Sequence, residues 1–463
     1  MFSRMSASET TVSWHRHIAC CTFPFGTHAA PLLLLVRHLA AASPTTLFTF
    51  LGTQDSNSHV FKKGSSSSPL PNNIVLQPVH DGVPPGHVFS GHYGEPIGLF
   101  LRAGKESFRN GMDEAEAVVG VRISCVLSDA FLWFCGELAE ERAATWVAFW
   151  TSGAAAVSAH LHTDLFRKEI GTQGVEARKD ELVGIVPGFS TVRLHDLPEG
   201  VVLGDFSNPF SQMLHNMAIA LPRATATAVN SYEELEIELV EDLKTKLKNY
   251  LNVGPFPLLF PPQGTKSDDY GCIPFLEGRD HASVAYVSFG TVATLPPHEL
   301  VALADAVEVS RITFIWSLND KAAEHLPEGF KERTEGRGKV VPWAPQVALL
   351  AHPATGVFIT HGGWNSIIES IIAGVPMICR PFLGDQMLNT RFIETVWRIG
   401  TGVEVDVFTK TGTLAALEKV IRTEEGKQMR ANVTVLKGLA EAAVQPNGSS
   451  IKNMESLIKL VTE

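Results

Sequence analysis

The chain has no run of about 18 uninterrupted apolar residues, the length a helix needs to cross a bilayer. Its opening stretch, MFSRMSASETTVSWHRH, lacks the apolar core of an export signal, so neither secretion nor a membrane anchor is expected and a cytoplasmic location follows. Six cysteines (Cys20, Cys21, Cys125, Cys135, Cys272 and Cys379) form no CxxC and no pairing pattern, which makes reduced thiols the expectation. Positive charge is also short. The 38 Lys and Arg against 49 Asp and Glu leave a net charge of −11, which disfavours nucleic acid and anionic membranes as partners. An anionic ligand would have to be held by local donors. No G-x-G-x-x-G follows a strand-like run and no P-loop spacing occurs, so a nicotinamide-dependent reductase lacks its phosphate loop.

What remains is a globular composition, 45% hydrophobic and 19% charged, in 463 residues. That length exceeds one ordinary core and predicts two α/β domains of about 200 residues each.

The densest chemistry lies in residues 343–386, WAPQVALLAHPATGVFITHGGWNSIIESIIAGVPMICRPFLGDQ. TGVFIT reads as a buried parallel strand, and His361-Gly362-Gly363 breaks it as a loop. A helix follows with Ile367, Ile368, Ile371 and Ile372 on one face, stopped by Gly374 before Val375-Pro376. The first N–H groups of that helix, with the positive end of its dipole behind them, suit a phosphate. Trp343 offers a flat face for a base, Gln346 a two-sided amide, and Glu369 a carboxylate for vicinal ribose hydroxyls. His361, Asn365 and Ser366 supply neutral donors for a diphosphate, while Asp385 and Gln386 suit the hydroxyls of a sugar. No metal is required.

Two further residues stand out near the N-terminus. His17 to Phe25 reads as a strand, Phe25-Gly26-Thr27-His28 as a turn, and APLLLLVRHLAAA as a helix, which puts His28 at the carboxyl end of a strand where doubly wound folds bind ligands. Ser124 to Phe134 reads as a second buried strand carrying Asp129, an acid able to orient an imidazole and stabilise its protonated form. On residue chemistry alone, His28 could equally be a helix cap or a surface residue.

The 343–386 block, with its WAPQ opening, GWNS centre and DQ close, resembles the signature box of plant family 1 UDP-glycosyltransferases. FPFGTHAAPLL, DGVPPG, SDAFLWF, VPGFSTVR, NSYEEL and VFTKTG extend the resemblance, to the flavonoid 3-O-glucosyltransferase branch, over nearly the whole chain. The resemblance implies two facing Rossmann-like domains in the GT-B architecture. The acceptor-binding domain would cover 1–252, a linker 253–281, the UDP-sugar domain 282–446, and a helix returning to the first domain 447–463. It makes His28 the general base and Asp129 its partner. On the donor side it implies uracil stacking by Trp343, ribose contacts by Gln346 and Glu369, diphosphate contacts by His361, Asn365 and Ser366, and sugar contacts by Trp364, Asp385 and Gln386. Thr151, Thr291, Ser317 and Ala344 complete the implied donor contacts. Gly26, Phe131, His160, Phe210 and Leu383 would meet the acceptor, with Trp133, Phe149 and Trp150 as further aromatic candidates.

The chemistry so implied is inverting transfer of glucose from UDP-glucose, a co-substrate, to the 3-hydroxyl of a flavonol or anthocyanidin by a monomer without metal. Donors carrying galactose or rhamnose, another phenolic acceptor, and a non-catalytic sugar-nucleotide or flavonoid binder are the alternatives. Gln386 leans toward glucose, since members of the branch using galactose often carry histidine there. The chain departs from its branch at Gly94 and Pro198, where glutamines are common, at Leu383, where phenylalanine is common, and at Gly362, where the family usually has cysteine.

Overall fold

A computed structural model describes residues 14–63, 70–91, 94–261, 268–290 and 294–463. Among them, two all-parallel sheets account for every named strand. The first contains β1 (Arg16–Cys21), β2 (Thr46–Thr53), β3 (Ile74–Val79), β4 (Ile123–Asp129), β5 (Thr145–Trp150), β6 (Ala226–Val229) and β7 (Tyr250–Asn252), in the order β3-β2-β1-β4-β5-β6-β7. The second contains β8 (Val284–Ser288), β9 (Thr313–Ser317), β10 (Gly338–Val341), β11 (Thr355–Thr360), β12 (Met377–Cys379) and β13 (Gly400–Gly402), in the order β10-β9-β8-β11-β12-β13.

Each order reverses once, between β1 and β4 and between β8 and β11, and the carboxyl ends of strands at such a reversal splay apart into a crevice. His28 follows β1 and Asp129 ends β4; His361 follows β11 and Gly290 follows β8. Topology thus collects the candidate residues at two crevices.

Strands buried on both faces read as nearly continuous apolar runs, and β2 is buried at all eight positions. Side chains still alternate. In β5, Trp146, Ala148 and Trp150 enter the core that faces the cleft, whereas Val147 and Phe149 enter the opposite core, where Phe149 stacks on Phe256 at 5.7 Å. Phe149 is therefore packing and no part of an acceptor pocket.

One expectation changes in detail, and one passage is more firmly anchored than a linker needs to be. The run Ser124–Phe134 is a strand only as far as Asp129, after which Leu132 N donates to the Asp129 carbonyl at 3.0 Å and the chain turns into the helix Cys135–Glu141. The Pro- and Gly-rich passage after β7 is not simply solvated: Phe256, Cys272 and Leu276 are buried, and Asp268 accepts from Cys272 N (2.8 Å) and Ile273 N (2.7 Å) at a helix start.

The helix Ser449–Thr462 packs on the first sheet, burying Met454, Leu457 and Val461 against the core of β1, β2 and the helix Ala29–Ala42. Each such side chain contributes about 1.5–3 kcal/mol.

One buried carboxylate bears on the site. Glu236 accepts from Ala154 N and Ala155 N, both at 2.8 Å, and so satisfies the first N–H groups of the helix Ala154–Leu161, some 80 residues away in sequence. Burial pushes its carboxyl up to about 7. The folded protein then holds this proton more tightly than the unfolded chain, so the group's contribution to stability is full below pH 4.5 and lost as pH rises through about 7. Glu236→Ala leaves two buried N–H groups without an acceptor, and urea unfolding is expected to show a loss of about 2–4 kcal/mol. A midpoint and slope equal to those of the wild type would show that water replaces the carboxylate at no cost.

Candidate active site

His28 precedes the helix Ala29–Ala42 and is held in place from the side. Its Nδ1 lies 2.8 Å from Asp129 Oδ2 and 3.4 Å from Thr151 Oγ1. Asp129 is 1% exposed and its other oxygen, Oδ1, accepts from Phe131 N at 2.9 Å, so the carboxylate cannot rotate away. An imidazole whose Nδ1–H donates to a carboxylate carries its lone pair on Nε2. That nitrogen belongs to a ring 19% exposed, which can meet a substrate hydroxyl. Gly26, at φ +63°, lets the chain turn back from β1 into this position.

Aromatic rings surround the imidazole. Phe131 lies 4.5 Å from the His28 ring and within 5.9 Å of Phe23, Trp150 and Phe210. His160 lies behind Trp150 at 6.0 Å, and burial lowers its pKa to about 4, so it stays neutral and can only exchange neutral hydrogen bonds. Trp133 packs on Phe134 at 5.5 Å. Leu383 is 48% exposed and projects from the second domain, while Gly94 and Pro198 are buried. Phe23, Phe25 and Phe100 join the cluster although sequence reasoning passed over them. Spacing gave no signal for Phe100, which lies in mid-helix.

Across the cleft, the helix Trp364–Ala373 begins at Gly363, which has no side chain to cap it, so its first N–H groups are open to an anion. His361 lies between two glycines. A Cβ on Gly363 would stand 2.4 Å from His361 Nε2, and one on Gly290 would stand 3.1 Å from Cε1. Burial lowers the pKa of His361 to about 4, which makes it a neutral donor throughout the physiological range. Gly362 adopts φ +75°, a conformation glycine takes without strain, and its carbonyl accepts from Asn389 Nδ2 at 3.0 Å.

The outer part of this site is prearranged. Gln346 Nε2 donates to Glu369 Oε2 (2.7 Å) and Ser366 Oγ (3.1 Å), and Tyr286 OH donates to Gln346 Oε1 (3.2 Å). Trp343 is 39% exposed beside Ala344, which is buried. Ser317 ends β9 partly buried at the same edge, and Thr291 lies outside the described residues.

Trp364 commits its ring to packing between the domains. The indole is buried over Gly153 and its Nε1 donates to Asn230 O at 2.7 Å, a bond between the two sheets' domains. What Trp364 can offer a ligand is its backbone N–H. Gln386 spends Oε1 on Phe382 N (2.8 Å) and Leu383 N (3.3 Å), which aims its amide. Asp385 accepts from Ser152 Oγ across the cleft, and burial raises its pKa. Asn365 Nδ2 reaches Thr27 Oγ1, one residue from His28, at 3.5 Å. The two crevices therefore face each other.

A family model described as "UDP-glucoronosyl and UDP-glucosyl transferase" matches residues 99–443. A flavonol 3-O-glucosyltransferase of Arabidopsis thaliana is 50% identical over 446 residues, covering 96% of this chain and 97% of its own. An anthocyanidin 3-O-galactosyltransferase of Rhododendron delavayi is 51% identical over 453 residues, covering 98% and 99%. The crystal structure of a UDP-glucose:anthocyanidin 3-O-glucosyltransferase in complex with UDP superposes with a TM-score of 0.91 at 38% identity, covering 97% of this chain and 99% of the other. Two facing α/β domains of the GT-B type, matched along nearly their whole length at such identity, establish that this chain belongs to the UDP-glucoronosyl and UDP-glucosyl transferase family.

Proposed function

We propose that the protein transfers glucose from UDP-glucose to the 3-hydroxyl of a flavonol or anthocyanidin and inverts the anomeric configuration. The observation that carries this reading is the contact of His28 Nδ1 with Asp129 Oδ2 at 2.8 Å, set among aromatic rings and facing the phosphate-ready helix of the other domain. His28 Nε2 takes the proton of the acceptor hydroxyl, and Asp129 stabilises the imidazolium. The acceptor oxygen attacks the anomeric carbon from the face opposite UDP, and the bond to the diphosphate oxygen breaks. Charge developing on that oxygen meets the start of the helix Trp364–Ala373 and neutral His361, Asn365 and Ser366. Trp343, Ala344, Gln346 and Glu369 hold the nucleoside; Thr151, Asp385, Gln386 and the backbone N–H of Trp364 hold the sugar. Phe131 and Phe210, with Gly26, His160 and Leu383, bound a slot for a flat phenolic ring system.

The remaining parts of the reading are the domain limits at 252, 281 and 446, a monomer in the cytoplasm, and no need for a metal. Galactose is the second donor to test, because the Rhododendron delavayi relative is named for it.

The test offers UDP-glucose, UDP-galactose and UDP-rhamnose with kaempferol, quercetin and cyanidin, and identifies products by mass spectrometry and their linkage by NMR. A β-linked glucose at the 3-hydroxyl is the expected product. Binding of UDP-sugar with no transfer to any of these acceptors would mean either that Gly94, Pro198 and Leu383 have redirected the pocket to another acceptor or that the protein is a binder.

A further inference from the structure

The turn that follows β5, Thr151 to Gly153, and the helix start after it reach both sides of the cleft. Thr151 Oγ1 lies 3.4 Å from His28 Nδ1; Ser152 Oγ donates to Asp385 Oδ2; Gly153 lies under the Trp364 ring; and Ala154 N and Ala155 N are fixed by Glu236. Trp150 Nε1 adds a bond to Gly153 O at 3.1 Å. Of these contacts, the one from Ser152 crosses between the domains to a carboxylate. Ser152 is 9% exposed, so its hydroxyl is held by packing rather than by water.

We propose that Ser152 is a positioning residue for the donor sugar and acts through Asp385. This rests on the reading of Asp385 as a sugar contact. A carboxylate half withdrawn from water gains from each donor that meets it, and one donor on Oδ2 fixes the plane in which Oδ1 and the remaining lone pairs face the cleft. Ser152 thereby holds that carboxyl group oriented before the sugar arrives. Because Ser152 and Thr151 are adjacent on a turn clamped by Glu236, the residue that aligns the sugar and the residue beside the base move as one unit. Closure of the two domains on the donor then sets the distance between the anomeric carbon and the acceptor oxygen.

The test is calorimetric binding of UDP and of UDP-glucose to the full chain, without acceptor, for wild type, Ser152→Ala, Asp385→Ala and the double variant. Ser152→Ala is expected to raise the Kd for UDP-glucose about fivefold to tenfold, less than the full worth of a hydrogen bond to a charged group because Ser152 acts on the sugar only through Asp385, and to leave the Kd for UDP unchanged. In the Asp385→Ala background the same substitution should have no further effect. A general loosening of the turn would instead weaken UDP and UDP-glucose alike, or add to the Asp385 effect, and would overturn the proposal. Unchanged or tighter binding of UDP-glucose by Ser152→Ala would overturn it as well. If Asp385→Ala itself binds UDP-glucose like the wild type, it is the assignment of the sugar contact that fails.

Discussion

His28→Ala is expected to lower kcat/KM for glucosyl transfer by about 10²- to 10⁴-fold while UDP binds as before. The ring it removes lies in the first domain, whereas the Gln346, Glu369 and His361 groups belong to the second. Asp129→Asn should cost a similar factor for a different reason. The Oδ1 contact with Phe131 N can persist, so the turn stays folded, but an amide presenting its N–H₂ to His28 would reverse the tautomer. Nε2 would then carry the proton and could not accept another. Steady-state rates with a saturating donor, paired with UDP titrations, separate the two domains' contributions. Transfer by His28→Ala at the wild-type rate would remove the imidazole from the reaction.

The second large effect is on the donor side. Gly363→Ala places a methyl 2.4 Å from His361 Nε2, well inside contact distance. The obstacle is the end of a side chain and Gly363 itself has φ −72°, so the backbone accepts alanine and the ring must swing aside. A neutral hydrogen-bond donor to the diphosphate is lost with the helix intact. UDP affinity is expected to fall about 10- to 100-fold, the worth of a hydrogen bond to a charged partner. Titration between pH 5.5 and 8 should show no change in wild-type affinity from this histidine, since its pKa is lowered to about 4. Wild-type UDP affinity in Gly363→Ala would place the diphosphate elsewhere.

Much of this was legible because parallel strands and helix starts leave strong local marks. The loop His361-Gly362-Gly363 and the helix after it follow from composition alone, and their resemblance to a known signature supplied the ligand. The pair His28 and Asp129 was not readable from residue chemistry: 101 positions separate residues that meet at 2.8 Å, and only topology brings β1 beside β4. The direction of the Trp364 ring was also hidden. It depends on the absence of a side chain at Gly153 in the other domain, and nothing within its own helix records that. Glu236 and Ser152 were passed over for the same reason, as each acts on a partner more than 80 residues away. Alternation along β5 by itself puts Phe149 on the face opposite Trp150 and so outside the pocket.

The docking of the helix Ser449–Thr462 on the first sheet also orders events on the ribosome. Domains generally fold as they emerge, N-terminal first, at about 5–20 residues per second. Here the first sheet can assemble once β7 has left the exit tunnel, yet the apolar face that takes Met454, Leu457 and Val461 stays bare while the second domain is still being made. At those rates, the roughly 200 residues between β7 and this helix take about 10–40 seconds. During translation the apolar face of the nascent first domain is thus covered only when the helix Ser449–Thr462 arrives.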